Sequence, residues 1–161
     1  MQTNWTITDF EMNLAVQEKC RSIERHGNTG CYARTREQNL IIGAMAEIAV
    51  SNYLNVPFVS NFGDETRTAD VFGYQVKATT HAPGGMTSHP NKMPKGIYIS
   101  CLVTLPNKVK IVGWSTHRYM WREMYYNKIK TPTPCYLMKP ENMFDLEMLP
   151  ETKALYEYRA A

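Results

Sequence analysis

The longest periodic stretch of this sequence, from Thr35 to Leu54, most constrains what the chain can fold into. A threonine followed three residues later by Gln38 predicts a helix start, because the two side chains can cap backbone N–H groups reciprocally. Asn55 and Pro57 predict the helix end, since the residue before a proline is pushed out of the helical region. The apolar residues recur at helical spacing and form one stripe: Leu40, Ile41, Ala44, Met45, Ile48 and Ala49. A stripe of this length requires a partner surface.

Beyond this helix the apolar spacing changes to a period of two, so strands are expected to supply that surface. The predicted strands are Phe58–Ser60, Thr68–Val71, Tyr74–Thr79, Ile97–Val103 and Val109–Trp114. An earlier helix should begin after Thr8, where Glu11 completes another capping box, and run to about Arg25. Helices that precede hairpin-linked strands favour an α+β domain, with a central mixed sheet flanked by helices in an α/β/α arrangement.

The remaining segments are less periodic. Later elements are expected to be a helix that Ser115 caps and that reaches about Met124, a strand near Tyr136–Met138 and a helix near Glu151–Tyr156. Loops are expected at His26–Ala33, Asn61–Arg67 and Thr80–Lys95.

Composition limits the class of protein. At 161 residues, with 43% hydrophobic and 20% charged, the chain suits a single domain spanning residues 1–161. The four scattered cysteines form no C-x-x-C pair, so a structural zinc site is not expected. Because we find neither a signal peptide nor an apolar membrane span, we expect a cytoplasmic protein that binds no membrane. A formal charge of +3 permits a polyanionic partner without requiring one.

One predicted hairpin concentrates polar side chains on a single face. A tight turn at Phe72-Gly73 would pair Asp70 with Gln75, and the same register would pair Val71 with Tyr74. The polar face would then consist of Asp70, Gln75, Lys77 and Thr79. Opposed side chains in such a ribbon lie about 4.5–5.5 Å apart at Cβ. A carboxylate, an amide oxygen and an ammonium group therefore converge within the reach of one metal ion.

Two interpretations of these residues stay open on spacing alone. The hairpin can equally be an ordinary amphipathic ribbon with a solvated face. Upstream, Glu47 lies one turn after Gly43 in a segment rich in small residues, so its helix can approach a sheet closely and direct the carboxylate toward it. The alternative is an exposed helical glutamate without a task.

Together these residues resemble the PD-(D/E)xK nuclease superfamily. Its members carry a helix with G-x-x-x-E, an Asp at a strand end and a strand containing [DEQ]-x-K, which correspond here to Gly43–Glu47, Asp70 and Gln75–Lys77. Lys110–Trp114 followed by a helix also resembles small phage and bacterial members, and the resemblance covers roughly residues 38 to 120. Gln75 replaces the usual second acid, as in the Mrr-like branch, and Ala69 replaces the usual proline.

The resemblance implies a restriction-endonuclease-like α/β/α fold and hydrolysis of DNA with Mg²⁺ or Mn²⁺. Asp70 would anchor the metal, the Gln75 amide and the Val76 carbonyl would be neutral ligands, and Glu47 would bind directly or through water. Lys77 would orient the attacking water or offset charge in the transition state. Phage-encoded endonucleases share this size and motif order, which implies a bacterial or phage-infected cytoplasm. Cutting both strands of a duplex would be easiest for a homodimer.

Residues after the predicted catalytic strand are candidates for contacts with nucleic acid. These are Thr79, His81, His89, Lys92 and Lys95, in a loop that either wraps the substrate or is a mobile surface segment. An aromatic group is expected to pack in the core rather than to stack on bases: Trp114, Tyr119, Trp121, Tyr125 and Tyr126.

Three hypotheses for function follow. The first is an active DNA endonuclease. The second is a nuclease-fold protein that binds nucleic acid or a protein partner without cleavage, which the neutral Gln75 keeps open. The third is a small α+β interaction protein in which the motif is accidental.

Overall fold

The computed structural model describes residues 3–14, 16–17, 36–59, 69–89, 95–127 and 135–161. Its strands are β1 (Asn4–Thr6), β2 (Tyr74–Thr79), β3 (Met86–Ser88), β4 (Ile97–Thr104), β5 (Lys108–Thr116), β6 (Tyr126–Asn127) and β7 (Cys135–Met138). Its α-helices are α1 (residues 9–14 and 16–17), α2 (Arg36–Leu54), α3 (His117–Met120) and α4 (Lys153–Ala160). Short 3-10 turns cover Glu123–Tyr125, Pro140–Asn142 and Leu146–Met148. Among the helices in these ranges, none is long and apolar enough to cross a membrane.

Helix α2 has the bounds that its apolar stripe predicts. Asn55 ends it by adopting a left-handed backbone with a φ of +55°, a conformation that asparagine tolerates better than most residues. The capping box of α1 is present as well: the Thr8 N–H donates to Glu11 Oε2 at 2.7 Å, and the Glu11 N–H donates to Thr8 Oγ1 at 3.2 Å. Asn52 of α2 donates to Glu11 Oε1 at 2.6 Å, so this carboxylate joins the two helices.

The central sheet has four strands in the order β1-β5-β4-β2. Strand β2 runs parallel to β4, whereas the pairs β4–β5 and β1–β5 are antiparallel. The predicted α+β class with a mixed sheet beside helices is therefore confirmed. Among the described strands of this sheet, β1 and β2 lie at its two edges.

The two faces of the central sheet differ in chemistry. One face packs against α2 and is apolar; it includes Val76, Ile99, Cys101, Val103 and Ile111, and we call it the helix face. Alternation turns the intervening residues to the other side, which we call the polar face: Gln75, Lys77, Thr79, Tyr98, Ser100, Leu102, Thr104, Lys108 and Lys110. Three buried alanines of α2, Ala44, Ala46 and Ala49, let that helix lie close to the helix face.

A second layer covers part of the polar face. It contains an antiparallel sheet in the order β3-β7-β6 and the helix α3, and its buried side chains surround Tyr98: Met86, Met120, Tyr125 and Met138. Strand β3 lies inside the segment predicted as a loop, so that prediction is wrong for residues 86–88, and Met86 and Ser88 are fully buried. The loop prediction failed because β3 is short and gains its partner, β7, only through tertiary contact.

Other predicted elements need smaller corrections. Ser115 does not cap α3, because it is still paired in β5; Thr116 is the cap and accepts a hydrogen bond from the Tyr119 N–H at 3.2 Å. The helix ends at Met120 and a 3-10 turn follows, so the predicted helix is shortened. Phe58 and Val59 are not in a strand, and before the hairpin turn only Val71 pairs, as an isolated bridge.

The aromatic group packs largely as expected. Trp114 and Tyr125 are buried, Tyr119 and Trp121 pack against the cluster around Tyr98, and Tyr126 remains 39% exposed. Several predicted features lie outside the described residues: Arg25, Thr35, Ser60, Lys92, the loops His26–Ala33 and Asn61–Arg67, and the first residue of the predicted strand, Thr68.

Candidate active site at the Asp70 hairpin

The hairpin before β2 has the predicted turn. Phe72 and Gly73 form its tip with φ angles of +42° and +89°, as the favoured two-residue hairpin turns require. Val71 and Tyr74 exchange both backbone hydrogen bonds, at 3.0 and 2.9 Å, so this part of the predicted register is confirmed. Glycine adopts such angles freely, whereas Phe72 is a bulky residue in a conformation that L side chains rarely take.

The Asp70 carboxylate lies across from the beginning of β2. Its Oδ2 accepts a hydrogen bond from the Val76 N–H at 2.7 Å, one residue beyond the predicted partner Gln75. Within a strand, the N–H and C=O of one residue point to the same side. The Val76 carbonyl therefore faces the same edge of the sheet as the Asp70 carboxylate, away from β4.

Gln75 and Lys77 lie on the polar face beside Tyr98. Gln75 is only 6% exposed and is the register partner of Tyr98. The Lys77 ammonium nitrogen lies 5.8 Å from the centroid of the Tyr98 ring, within the range of a cation–π contact. The structure thus brings Asp70, Gln75, Val76 and Lys77 to the same corner of the sheet.

Electrostatics tie this corner together. Burial raises the pKa of the Asp70 carboxyl group, and the Val76 N–H and the Lys77 ammonium offset only part of that effect. Burial also raises the pKa of Tyr98 to about 12, and the negative charge of Asp70 contributes to the shift. A nearby cation stabilises the ionised form of a poorly solvated carboxylate more than it stabilises that of an exposed carboxylate.

Glu47 lies in the layer on the other side of β2. Helix α2 covers the helix face, and there the Glu47 carboxylate adds to the effect of burial in raising the pKa of the Cys101 thiol. Cys101 is the register partner of Ala78, whose side chain also packs against the helix-face core. Because β2 is an edge strand of the described sheet, Glu47 would meet Asp70 only around that edge. Its place in a shared metal shell stays a prediction.

The oxygen donors at the hairpin are of the kind that a hard cation prefers, but they carry little negative charge. Carboxylate, amide and backbone carbonyl oxygens are the ligands that Mg²⁺ takes. Only Asp70 among the hairpin donors is acidic, and within the described ranges no three His, Cys, Asp or Glu side chains form a metal-holding group. The half-buried carboxylate of Asp70, the carbonyl of Val76 and the amide of Gln75 therefore suit a metal that completes its shell with water or phosphate oxygens.

Of the predicted nucleic-acid residues, Thr79, His81, His89 and Lys95 lie within the described ranges. Thr79 ends β2 on the polar face, and its Oγ1 accepts a hydrogen bond from the His81 N–H at 3.1 Å. His81 is exposed, as is Lys95, whereas His89 is half-buried after β3. Thr79 thus follows Lys77 on the polar face, and the roles of all these residues stay predictions.

A C-terminal brace, defined as Pro150, Thr152 and Tyr158, holds the hairpin and was missed from sequence. The Thr152 hydroxyl caps α4, accepting from the Leu155 N–H at 3.2 Å, and donates to the carbonyl of Phe72. The Tyr158 ring meets the Phe72 ring edge-on at 4.8 Å between centroids, and the Tyr74 hydroxyl donates to the Pro150 carbonyl at 2.8 Å. A positive φ at phenylalanine persists only where surrounding structure holds it. Thr152 ahead of Leu155 signals a helix cap in the sequence, but no local pattern signals a contact with a hairpin so distant along the chain.

The corner of the sheet at Asp70 thus combines a half-buried carboxylate, a lysine and the outward-facing carbonyl of Val76, next to a hairpin turn that the C-terminal brace contacts. Comparison of the chain with protein-family models, with curated proteins and with solved structures found no match.

Proposed function

We propose that this chain is a metal-dependent DNA endonuclease of restriction-endonuclease-like fold whose active site is the Asp70 hairpin. One observation carries the proposal: Asp70 bonds to the backbone of β2 at Val76, directly beside Gln75 and Lys77. The order of the motifs along the chain, which resembles PD-(D/E)xK nucleases, supports the same conclusion. A solvated amphipathic ribbon would have no reason to bury the Gln75 side chain and half-bury the Asp70 carboxylate.

Each residue has a distinct task in this proposal. Asp70, Gln75 and the Val76 carbonyl would hold Mg²⁺ or Mn²⁺, with Glu47 reaching around the edge of β2. The bound metal supplies Lewis-acid activation of the phosphate and lowers the pKa of a bound water. Lys77 holds a phosphate oxygen or the attacking water by an ionic hydrogen bond and offsets negative charge that develops on phosphorus. Tyr98 lies beneath the Lys77 ammonium group and limits its freedom to swing away.

Cleavage of supercoiled plasmid DNA with Mg²⁺ or Mn²⁺ tests the proposal. We expect metal-dependent nicking by the wild type and losses of about 10²–10³-fold in Asp70→Asn and Lys77→Gln, the cost of removing one such group from an active site. Glu157→Gln and Lys139→Gln are matched controls, because they make the same charge changes at exposed side chains elsewhere. Equal cleavage by all variants would disprove the site, and cleavage that survives EDTA would disprove the metal.

A second function, binding of DNA without cleavage, is favoured by one observation. Gln75 leaves the hairpin with a single carboxylate, which weakens its hold on a divalent cation. Binding of DNA by the wild type without nicking at any metal concentration would support this function and contradict the first. Restored cleavage in Gln75→Glu would then identify the missing charge as the cause.

A further inference from the structure

We propose that the uncovered part of the polar face, beyond Thr79, binds the phosphate backbone of DNA and leads it toward the Asp70 hairpin. This surface, which we call the lysine track, consists of Thr6, Leu102, Thr104, Lys108 and Lys110. The proposal rests on the proposed function, because it concerns how the same substrate reaches the site. Thr6, Leu102, Thr104 and Lys108 lie outside the motifs that suggested a nuclease, and Lys110 enters the track through its exposed ammonium group.

Strand register connects the track to the hairpin. Thr79 pairs with Leu102, which pairs with Lys110, so the three residues form one row across β2, β4 and β5 on the polar face. The next row contains Thr104, Lys108 and Thr6. Neighbouring strands are about 4.7–4.9 Å apart, which places Lys110 about 10 Å from Thr79 along the row. Each strand of duplex DNA carries one phosphate per ~3.4 Å of helix axis, so a row of this length parallel to the axis faces about three phosphates of one strand.

The charge of the track suits a polyanion. Lys108 and Lys110 are exposed, and within the described part of the chain neither forms an ion pair with a carboxylate. Asp145 and Glu147 line a separate depression that Lys110 borders, and among the described residues neither forms an ion pair with Lys110. Two unpaired ammonium groups next to threonine hydroxyl groups can hold consecutive phosphates.

The shape of the track also suits an extended backbone. The track residues line an open depression of about 460 Å³. The turn at residues 81–84 lies directly on the sheet next to the track residue Leu102: the Ser100 hydroxyl donates to the Gly84 carbonyl at 3.0 Å, and a Cβ atom on Gly84 would lie 3.2 Å from Leu102 Cβ. A Cβ atom on Gly84 would lie 2.8 Å from Val112 Cγ2, so only glycine allows this close seat. The turn carries the exposed His81 at its start.

DNA binding measured by fluorescence anisotropy tests the track without requiring catalysis. A labelled duplex is titrated with wild type in EDTA, over a range of KCl concentrations. We expect the double variant Lys108→Gln/Lys110→Gln to bind about tenfold more weakly at low salt and to lower the slope of log K against log salt by about 2. The matched control is Lys139→Gln/Lys153→Gln, which removes the same charge from two exposed lysines that face acidic neighbours. We expect its salt slope to equal that of the wild type.

The outcomes separate this inference from the proposed function. Weaker binding by the track variant with an unchanged control supports the track, whether or not the wild type cleaves. Equal losses in both double variants would overturn it, because total charge rather than position would then explain binding. The track would also be overturned if the wild type did not bind DNA. It would equally be overturned if the wild type were a dimer in size-exclusion chromatography and only the track variant were a monomer. If the track variant still cleaved DNA and its salt slope equalled that of the wild type, the proposed nuclease function would stand and the track would be disproved.

Discussion

The two faces of the central sheet follow opposite rules of construction. The helix face is packed: Ile99, Cys101 and Ile111 are at most 1% exposed and meet the small residues of α2. The polar face instead buries Gln75 and Ser100 and holds the Asp70 carboxylate beside it in poor solvent. Burying polar and charged groups costs stability unless they are compensated. The comparison teaches that one face is built for stability, and that the other keeps groups whose presence packing alone does not explain.

The largest effect on stability is expected on the helix face. Ile99→Ala should lower the free energy of unfolding by about 2–5 kcal/mol, because the side chain is fully buried and its removal leaves a cavity. Urea denaturation measures the change. Lys108→Ala, an exposed position on the polar face, is the control and should stay within about 0.5 kcal/mol of the wild type. A loss below 1 kcal/mol for Ile99→Ala would show that the helix face is not a packed core.

Asp70→Asn should increase the stability of the metal-free protein, in contrast to Ile99→Ala. Its folded-state pKa is raised by burial, so the ionised carboxylate destabilises the metal-free protein above the ordinary pKa of 3.8. Asparagine removes the charge, and its carbonyl oxygen can still accept from the Val76 N–H. Calorimetry in EDTA at pH 7 should therefore show a higher Tm for the variant, with the difference vanishing in acid, where wild-type Asp70 is protonated.

Glu157→Gln serves as the calorimetric control, since its carboxylate is exposed. A lower Tm in Asp70→Asn at pH 7 would indicate a structural carboxylate and would contradict the contrast between the two faces.

Loosening the C-terminal brace should reduce activity more than stability alone explains. Thr152→Val keeps the shape of the side chain but loses its bonds to Phe72 and to the N–H of Leu155, at a cost of about 1–2 kcal/mol. At a temperature where the variant is fully folded, we expect kcat for DNA cleavage to fall about tenfold with DNA binding in EDTA unchanged. Thr152→Ser keeps the hydroxyl group and should cleave at the wild-type rate. If Thr152→Val lost DNA binding in parallel with kcat, the brace would have only a structural role.

Gln75→Glu should sharpen the polar face as a metal site. A second carboxylate beside Asp70 would strengthen Mn²⁺ binding by about tenfold, equivalent to ~1.4 kcal/mol, and would lower the Tm of the metal-free protein through repulsion. Thermal-shift titrations with MnCl₂ measure both effects. An unchanged Mn²⁺ midpoint would mean that the side chain at this position does not face the metal.

The smallest effect concerns the contact between α1 and α2. Burial of the Glu11 carboxyl group raises its pKa, but hydrogen bonds from Asn52 and Thr8 outweigh this effect and hold the pKa below its usual value of 4.5. The corresponding stability is present above pH 4.5 and is lost as the pH falls through the lower folded-state pKa. Glu11→Gln should therefore lose less than about 1 kcal/mol at pH 7 and show a flatter acid limb in denaturation. An identical acid limb would exclude this carboxylate from the pH dependence.

Sequence alone determined the features that depend on neighbours along the chain. The bounds of α2, the capping box of Thr8 and Glu11, the tip at Phe72-Gly73 and the alternation along β4 and β5 all follow from local rules of capping, turn geometry and periodicity. The same alternation predicted that Gln75 and Lys77 share a face. These interactions join residues that are close along the chain, so the amino-acid pattern is sufficient to predict them.

Only the tertiary structure decided how distant segments meet. The parallel pairing of β2 with β4, the strand β3 within a predicted loop, and the brace of Thr152 against Phe72 join residues that no local period relates. Glu47 shows the same limit: its helical position was readable, but the side of β2 on which it lies depends on how α2 packs. Such contacts arise because burial rewards any complementary surfaces the chain can bring together, and that choice is made by the whole fold.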